Sequence, residues 1–300
     1  MGGAQGGETS ARRGTNALTV SVDAHHHFWD PARRQYPWLG EQLAAIRRRY
    51  GPEDLRPLLA ASGVDRTVLV QTISSLDETR EFLSSAEATD FIAGVVGWVD
   101  LMEPSVGETL AELRQGPGGR FLVGVRHQVH DEPDPAWLLR PAVQRGLRAV
   151  GDAGLVYDLL VRTRELPSAL ATVRSLGNVR FVIDHLAKPQ IVAGPRDLAW
   201  ELAMAPFADC ANVSFKLSGM VTEASWSDWT PDDLRPYVHH ALEWFGPESC
   251  IFGSDWPVCL LAASYPQVVE ALRDTLSDLD STSTESVFGG NAIRLYRLTV

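Results

Sequence analysis

The chain has 300 residues, 45% of them hydrophobic, with 27 Lys and Arg against 38 Asp and Glu, for a net charge of −11. Nucleic acids and anionic membranes both select basic surfaces, so this balance argues against either partner; the short Arg47-Arg48-Arg49 run is the one basic block. No apolar run reaches the length of a membrane span.

Residues 1–17 are Gly-rich and polar with no hydrophobic core, and are expected to form a disordered leader rather than a signal peptide. From there, short runs of Val, Ile, Leu and Phe recur at 18–24, 66–72, 91–99, 121–127, 154–161, 179–185, 212–218 and 249–254. Near-continuous apolar runs are how parallel strands read when both faces are covered. Helical patterns fall between and after them, at 52–62, 76–90, 105–114, 137–153, 164–177, 196–209, 231–245 and 265–278. Proline near several starts (Pro167, Pro231) and glycine near several ends (Gly63, Gly154, Gly177, Gly246) mark their boundaries. Eight strand–helix units within 18–300 predict one α/β domain, a (β/α)8 TIM barrel. A doubly wound open sheet would want a Gly-rich phosphate turn after its first strand; the turn here is His-rich.

In such a barrel the chemistry sits where strands end. Strand 1 ends in His25-His26-His27, strand 2 in Gln71-Thr72, strand 3 in Trp98-Val99-Asp100 and strand 4 in Arg126-His127. Strand 5 carries Tyr157 and Asp158. Strand 6 ends in Asp184-His185 through Lys188-Pro189, strand 7 in Lys216-Leu217-Ser218-Gly219, and strand 8 in Ser254-Asp255-Trp256-Pro257. Side chains alternate along a strand, so His25 and His27 share a face and His26 points away. An H-x-H pair is a common metal-ligand spacing, and His185 and Asp255 at other strand ends strengthen it. By the same rule only one of Arg126 and His127 faces the barrel mouth easily. A carboxylate such as Asp255, beside Trp256 and near histidines, can be held ionised and aimed at water. Trp29, Trp38 and Trp256 offer flat faces that suit a sugar ring, and equally suit packing. Gln71, Lys188 and Lys216 are further candidate binding groups at strand ends.

Five segments in order, D-A-H-H-H-F-W-D-P, G-V-R-H-Q-V, F-V-I-D-H-L-A-K-P, K-L-S-G and F-G-S-D-W-P-V, resemble the motifs of the amidohydrolase-2 branch of the amidohydrolase superfamily. The likeness runs from residue 20 to about 298 and is strongest toward its sugar-lactone hydrolases of the L-fuconolactonase and L-rhamnonolactonase type. It implies a cytoplasmic hydrolase opening a small-molecule lactone, as a monomer or small homo-oligomer. Asp255 would be the general base, with His25, His27, His185 and Arg126 supplying the field around the carbonyl. His127, Trp29, Trp38, Gln71, Trp98, Lys188, Lys216 and Trp256 would contact substrate. Two-metal members use a carboxylated strand-4 lysine; Arg126 and His127 stand there instead. The resemblance therefore implies either one divalent ion, zinc or manganese, on His25, His27, His185 and Asp255, or no metal. A one-metal decarboxylase, or a hydrolase of another lactone such as a pyrone dicarboxylate, is the alternative; the latter would want several arginines where one, Arg126, is found.

Overall fold

The computed structural model describes residues 20–300, so the expected leader at 1–17 lies outside the described residues. Eight parallel strands follow one another around a single sheet: β1 (Val22–His26), β2 (Arg66–Val70), β3 (Ile92–Gly97), β4 (Leu122–His127), β5 (Val156–Leu159), β6 (Arg180–Ile183), β7 (Val213–Leu217) and β8 (Cys250–Phe252). A bridge between His26 and Trp256 joins its two edges, which makes the sheet a barrel. The strands β2 to β8 each fall inside an apolar run expected from the sequence, whereas β1 starts within the expected 18–24 run and extends past it to His26.

The helices are α1 (Pro52–Ser62), α2 (Leu76–Ala88), α3 (Val106–Gln115), α4 (Pro141–Asp152), α5 (Leu166–Ser175), α6 (Leu198–Met204), α7 (Pro231–Phe245) and α8 (Tyr265–Thr275), followed by the short α9 (Ser281–Glu285) and α10 (Asn291–Tyr296). Their ends have local causes. Ser75 caps α2 by accepting from Glu78 N, and Asp197 caps α6 by accepting from Trp200 N. Gly63 ends α1 in the left-handed region at φ 67°. In two of the expected helices a proline divides the sequence pattern. The 137–153 segment becomes a 3-10 turn over Trp137–Leu139 and then α4, because the residue before Pro141 is pushed out of helical geometry. The 196–209 segment changes from α6 to a 3-10 stretch at Ala205–Asp209, where Pro206 removes an amide donor.

Two apolar layers hold the fold. The larger lies between the strands and the helix ring. The smaller fills the barrel with Val22, Ala24, Val68, Val70, Val96, Val156, Val182 and Ile251. Ala292, Tyr296 and Leu298, from and just after α10, belong to this inner layer. Arg180, the first residue of β6, donates to the Leu295 carbonyl, so α10 plugs the N-terminal end of the barrel. The opposite end is left for polar groups. Among the described residues no helix is long and apolar enough to cross a membrane. Cys210, Cys250 and Cys259 are free, the last two buried.

Candidate active site

The inner face of the barrel changes character along each strand. Gly124 then Arg126, Val156 then Asp158, Val182 then Asp184, and Ser214 then Lys216 follow the two-residue repeat, small or apolar below and ionisable above. In β1 the inner residues Val22 and Ala24 give way to His25 and His27, because the pairing with β2 shifts register between Asp23 and His26. His26 points outward as expected: its Nε2 lies 2.9 Å from Thr67 Oγ1 and its ring meets Phe28 edge-on.

His25, His27, His185 and Asp255 converge at the C-terminal mouth. The Nε2 atoms of His25 and His27 are 3.2 Å apart. Asp255 Oδ1 lies 3.3 Å from His27 Nε2, 3.7 Å from His25 Nε2 and 3.9 Å from His185 Nε2. All four residues are almost completely buried. Each ring is held from behind. His27 Nδ1 donates to the Val70 carbonyl at 2.8 Å, and His185 Nδ1 lies 2.8 Å from Ser218 Oγ. Burial alone would raise the Asp255 carboxyl, but His185, His27 and His25 outweigh it and hold the group well below the usual carboxylate range. Burial lowers His185 to about 4 against the pull of Asp255, and lowers His25 strongly against the pull of Asp184. Near neutral pH the site therefore holds an ionised carboxylate facing neutral imidazoles at His25 and His185.

The backbone here is strained. His185, Leu186, Ala187 and Lys188 all have positive φ, between 49° and 59°, and Asp255 has φ 56°. Each non-glycine residue in that region costs roughly 1–2 kcal/mol. Such strain persists where surrounding structure enforces it, commonly at functional sites. Gly219 supplies the space: at its φ of 61°, an added Cβ would lie 2.6 Å from His185 Nδ1 and 3.1 Å from Asp255 Oδ2.

The amidohydrolase family model matches residues 22–298. The chain belongs to the amidohydrolase family. This amidohydrolase is 42% identical to the L-fucono-1,5-lactonase of Burkholderia ambifaria over 289 residues, covering 94% of this chain and 97% of that one. The L-fucono-1,5-lactonase of Burkholderia multivorans is 38% identical, covering 93% and 96%. A crystal structure of an amidohydrolase from Burkholderia multivorans with bound zinc superposes with a TM-score of 0.87 at 36% identity, covering 93% of this chain and all of that one.

The residues of this amidohydrolase fit a divalent ion. Ligand atoms around a tetrahedral zinc, each about 2.0–2.1 Å from it, lie about 3.3–3.4 Å from one another. The His25, His27 and Asp255 atoms are 3.2, 3.3 and 3.7 Å apart. The donor chemistry agrees. His27 Nδ1 is occupied by its bond to the Val70 carbonyl, which leaves Nε2, facing His25 and Asp255, as the ring nitrogen that can ligate an ion. His25, Asp184 and His185 form a second, overlapping group with metal-binding spacing.

Arg126, rather than His127, turns into the barrel. Its Nη1 lies 3.1 Å from Asp184 Oδ2 and 3.2 Å from His25 Nε2, and its Nη2 donates to the Gln71 carbonyl at 2.5 Å. The guanidinium is thus committed to its neighbours. His127 sits at the rim, stacked on Trp137, with Trp98 Nε1 donating to its Nδ1 and Glu132 at its Nε2.

Other expected contact residues are placed differently from one another. Lys216, expected to touch substrate, is completely buried below His25, held 2.5 Å from Asp158 and 3.0 Å from Asp184; these two carboxylates in the interior keep it there. Trp256 is 1% exposed, edge-on to Phe28 and Tyr50, and so offers no stacking face. Trp29 is similarly enclosed, with Nε1 donating to Ile46 O, and Trp38 packs edge-on against it while half-buried. Gln71 is buried, bonding Arg126 O and Gln128. Lys188 lies at the rim, paired with Glu223 at 2.6 Å.

Three acidic residues of the site were given no role from the sequence, although Asp158 and Asp184 were named among its strand residues. Asp158 and Asp184 carry its interior negative charge, and Asp23 ties β1 to β8. The signal for the first two was present in strand parity, since both share the inner face with Arg126 and Lys216.

Proposed function

We propose that this amidohydrolase opens an aldonolactone of the L-fucono-1,5-lactone class to its sugar acid. The observation that carries the reading is the match, over nearly the whole chain, to two L-fucono-1,5-lactonases at 42% and 38% identity. The site geometry suits the reaction. An ionised carboxylate, Asp255, is enclosed by histidines at the barrel mouth with almost no exposed surface.

In this reading Asp255 takes a proton from water as the water oxygen attacks the lactone carbonyl. The carbonyl electron pair moves onto oxygen, then returns as the ring C–O bond breaks. The leaving ring oxygen takes the proton back from Asp255 and becomes a hydroxyl. Positioned proton transfer of this kind contributes about 10²–10⁴ in rate. His27 and His185, fixed by Val70 and Ser218, orient the carboxylate. Low solvent exposure strengthens each of these interactions.

One divalent ion belongs to the proposal, with His25, His27 and Asp255 as its ligands and His185 at the edge of the set. When bound, it supplies Lewis-acid polarisation of the carbonyl and stabilises the oxyanion. Acid release from L-fucono-1,5-lactone, followed with a pH indicator and purified zinc-supplemented protein, tests the reading. Silence there and across a panel of other aldonolactones would overturn it.

A further inference from the structure

The ring of His25 has an unusual surrounding. Its Nδ1 lies 3.2 Å from the Lys216 ammonium and 3.4 Å from Asp184 Oδ1. Its Nε2 lies 3.2 Å from the Arg126 guanidinium, 3.2 Å from His27 Nε2 and 3.7 Å from Asp255 Oδ1. Each ring nitrogen thus meets one cationic donor and at least one acceptor. A neutral imidazole has one proton and one lone pair, so it satisfies one half of each set and leaves the other. Both tautomers have partners waiting.

We propose that Lys216 and Asp184 are positioning residues that select the tautomer of His25, and so decide whether its Nε2 offers a proton to His27 and Asp255 or a lone pair to a bound cation. In one form Lys216 donates to Nδ1, and the Nε2 proton points at the lone pair of His27. In the other, Nδ1–H faces Asp184 Oδ1 at 3.4 Å, and Nε2 turns its lone pair toward the Arg126 donor and toward the lone pairs of His27 and Asp255. The second arrangement sets three electron-rich atoms face to face, which a cation relieves. Between the forms one N–H bond is lost at Nε2 and one is gained at Nδ1; the ring stays neutral throughout. Without a cation, Lys216 donating to Nδ1 and relief of the lone-pair conflict with His27 Nε2 at 3.2 Å together favour the Lys216 form over the pull of the Arg126 donor on Nε2.

Lys216 is built for this task. It is fully buried, and Asp158 Oδ2 at 2.5 Å anchors it from below. Asp158 in turn accepts from the Tyr296 hydroxyl at 2.9 Å, so the column runs from the plug helix α10 to the mouth. A lysine serving only to neutralise two carboxylates has no need of a third contact on an imidazole. Outer partners that orient metal-binding histidines commonly change metal affinity by about 10–100-fold. The inference deepens the lactonase reading and rests on it only for its catalytic consequence.

The test uses the full chain with ¹⁵N-labelled histidine rings. Long-range ¹H–¹⁵N correlation reports which His25 nitrogen bears the proton, with assignment by loss of the signals in His25→Asn. We expect the proton on Nε2 in metal-free protein and on Nδ1 after one equivalent of Zn²⁺. The double variant Lys216→Met/Asp158→Asn removes one charge of each sign, so simple electrostatic attraction is matched. It is expected to hold the proton on Nδ1 in both states and to bind Zn²⁺ about tenfold more tightly in chelator competition. An unchanged His25 tautomer on adding Zn²⁺ to the wild-type chain would overturn the proposal, as would a double variant with wild-type tautomer and affinity. Should the double variant not fold, the wild-type titration decides alone. Neither readout uses a lactone, so a failed hydrolysis assay leaves this result standing.

Discussion

The backbone amide of Asp255 donates to the carbonyl of His25 at 2.8 Å. The amide of His27 donates to the carbonyl of Trp256 at 2.7 Å. These bonds close the barrel between β8 and β1, and they also set the separation of the carboxylate from the two histidines. Seam and site are one structure. A slip in strand closure would be a slip in the distance between Asp255 and these histidines.

Asp23 governs this seam. It is fully buried, and its Oδ1 accepts from the amides of His25 and Ser254 while its Oδ2 accepts from the hydroxyls of Ser254 and Tyr265. Asp23→Ala leaves two buried amides without an acceptor, at about 1–3 kcal/mol each. We expect a loss of about 3 kcal/mol or more in urea unfolding, together with reduced lactone turnover. Ser254→Ala, which keeps the carboxylate and removes one hydroxyl, should lose about 1 kcal/mol. Equal stability of Asp23→Ala and wild type would remove Asp23 from this role.

Gly219 makes a second test, because its space is taken up by the site. In Gly219→Ala the new methyl must push His185 or Asp255, and the residue also meets the left-handed penalty of about 1–2 kcal/mol. Displacement of reacting groups by about an ångström can cost about 100-fold. The expected result is a fall in kcat of at least about tenfold with a thermal midpoint a few degrees lower. Gly63→Ala is the control: it has the same sign of φ at 67°, with nothing within 4 Å of the added Cβ. It should lose stability and keep its kcat.

Metal binding gives a third. Protein freed of metal by a chelator should take up one zinc per chain. His27→Gln should weaken that binding by more than the roughly 10–100-fold loss seen when an outer hydrogen-bond partner is removed. His26→Gln, altered on the outward face, should keep wild-type zinc affinity. Equal affinities for the two variants would argue against the His25–His27–Asp255 set.

The barrel was legible because eight apolar runs alternate with helical patterns, and because the polar residues fall at strand ends rather than on helix faces. The two-residue strand period also separated His25 and His27 from His26. Other features were hidden for physical reasons. Tryptophan fills a core as readily as it lines a sugar site, so Trp256 in an aromatic cluster reads the same as Trp256 on a rim. The left-handed run from His185 to Lys188 carries no glycine, the usual mark of such geometry. Asp158 and Asp184 stand among the strand-end residues of the sequence, but a carboxylate there can pair a lysine or arginine as readily as serve a site, so the sequence alone gives them no role. Once the inner face is known, their parity with Arg126 and Lys216 puts them in the site. The C-terminal plug could not be read from α10 alone, since a six-residue helix shows too little periodicity.

The most direct test of the account compares wild-type protein with Asp255→Asn on L-fucono-1,5-lactone, both zinc-supplemented and matched by circular dichroism. The account predicts hydrolysis by the wild type and a loss of about 10²–10⁴ in kcat for the folded variant. A folded variant that retains wild-type turnover would contradict the role of Asp255, and a folded wild type inactive on every aldonolactone would contradict the function.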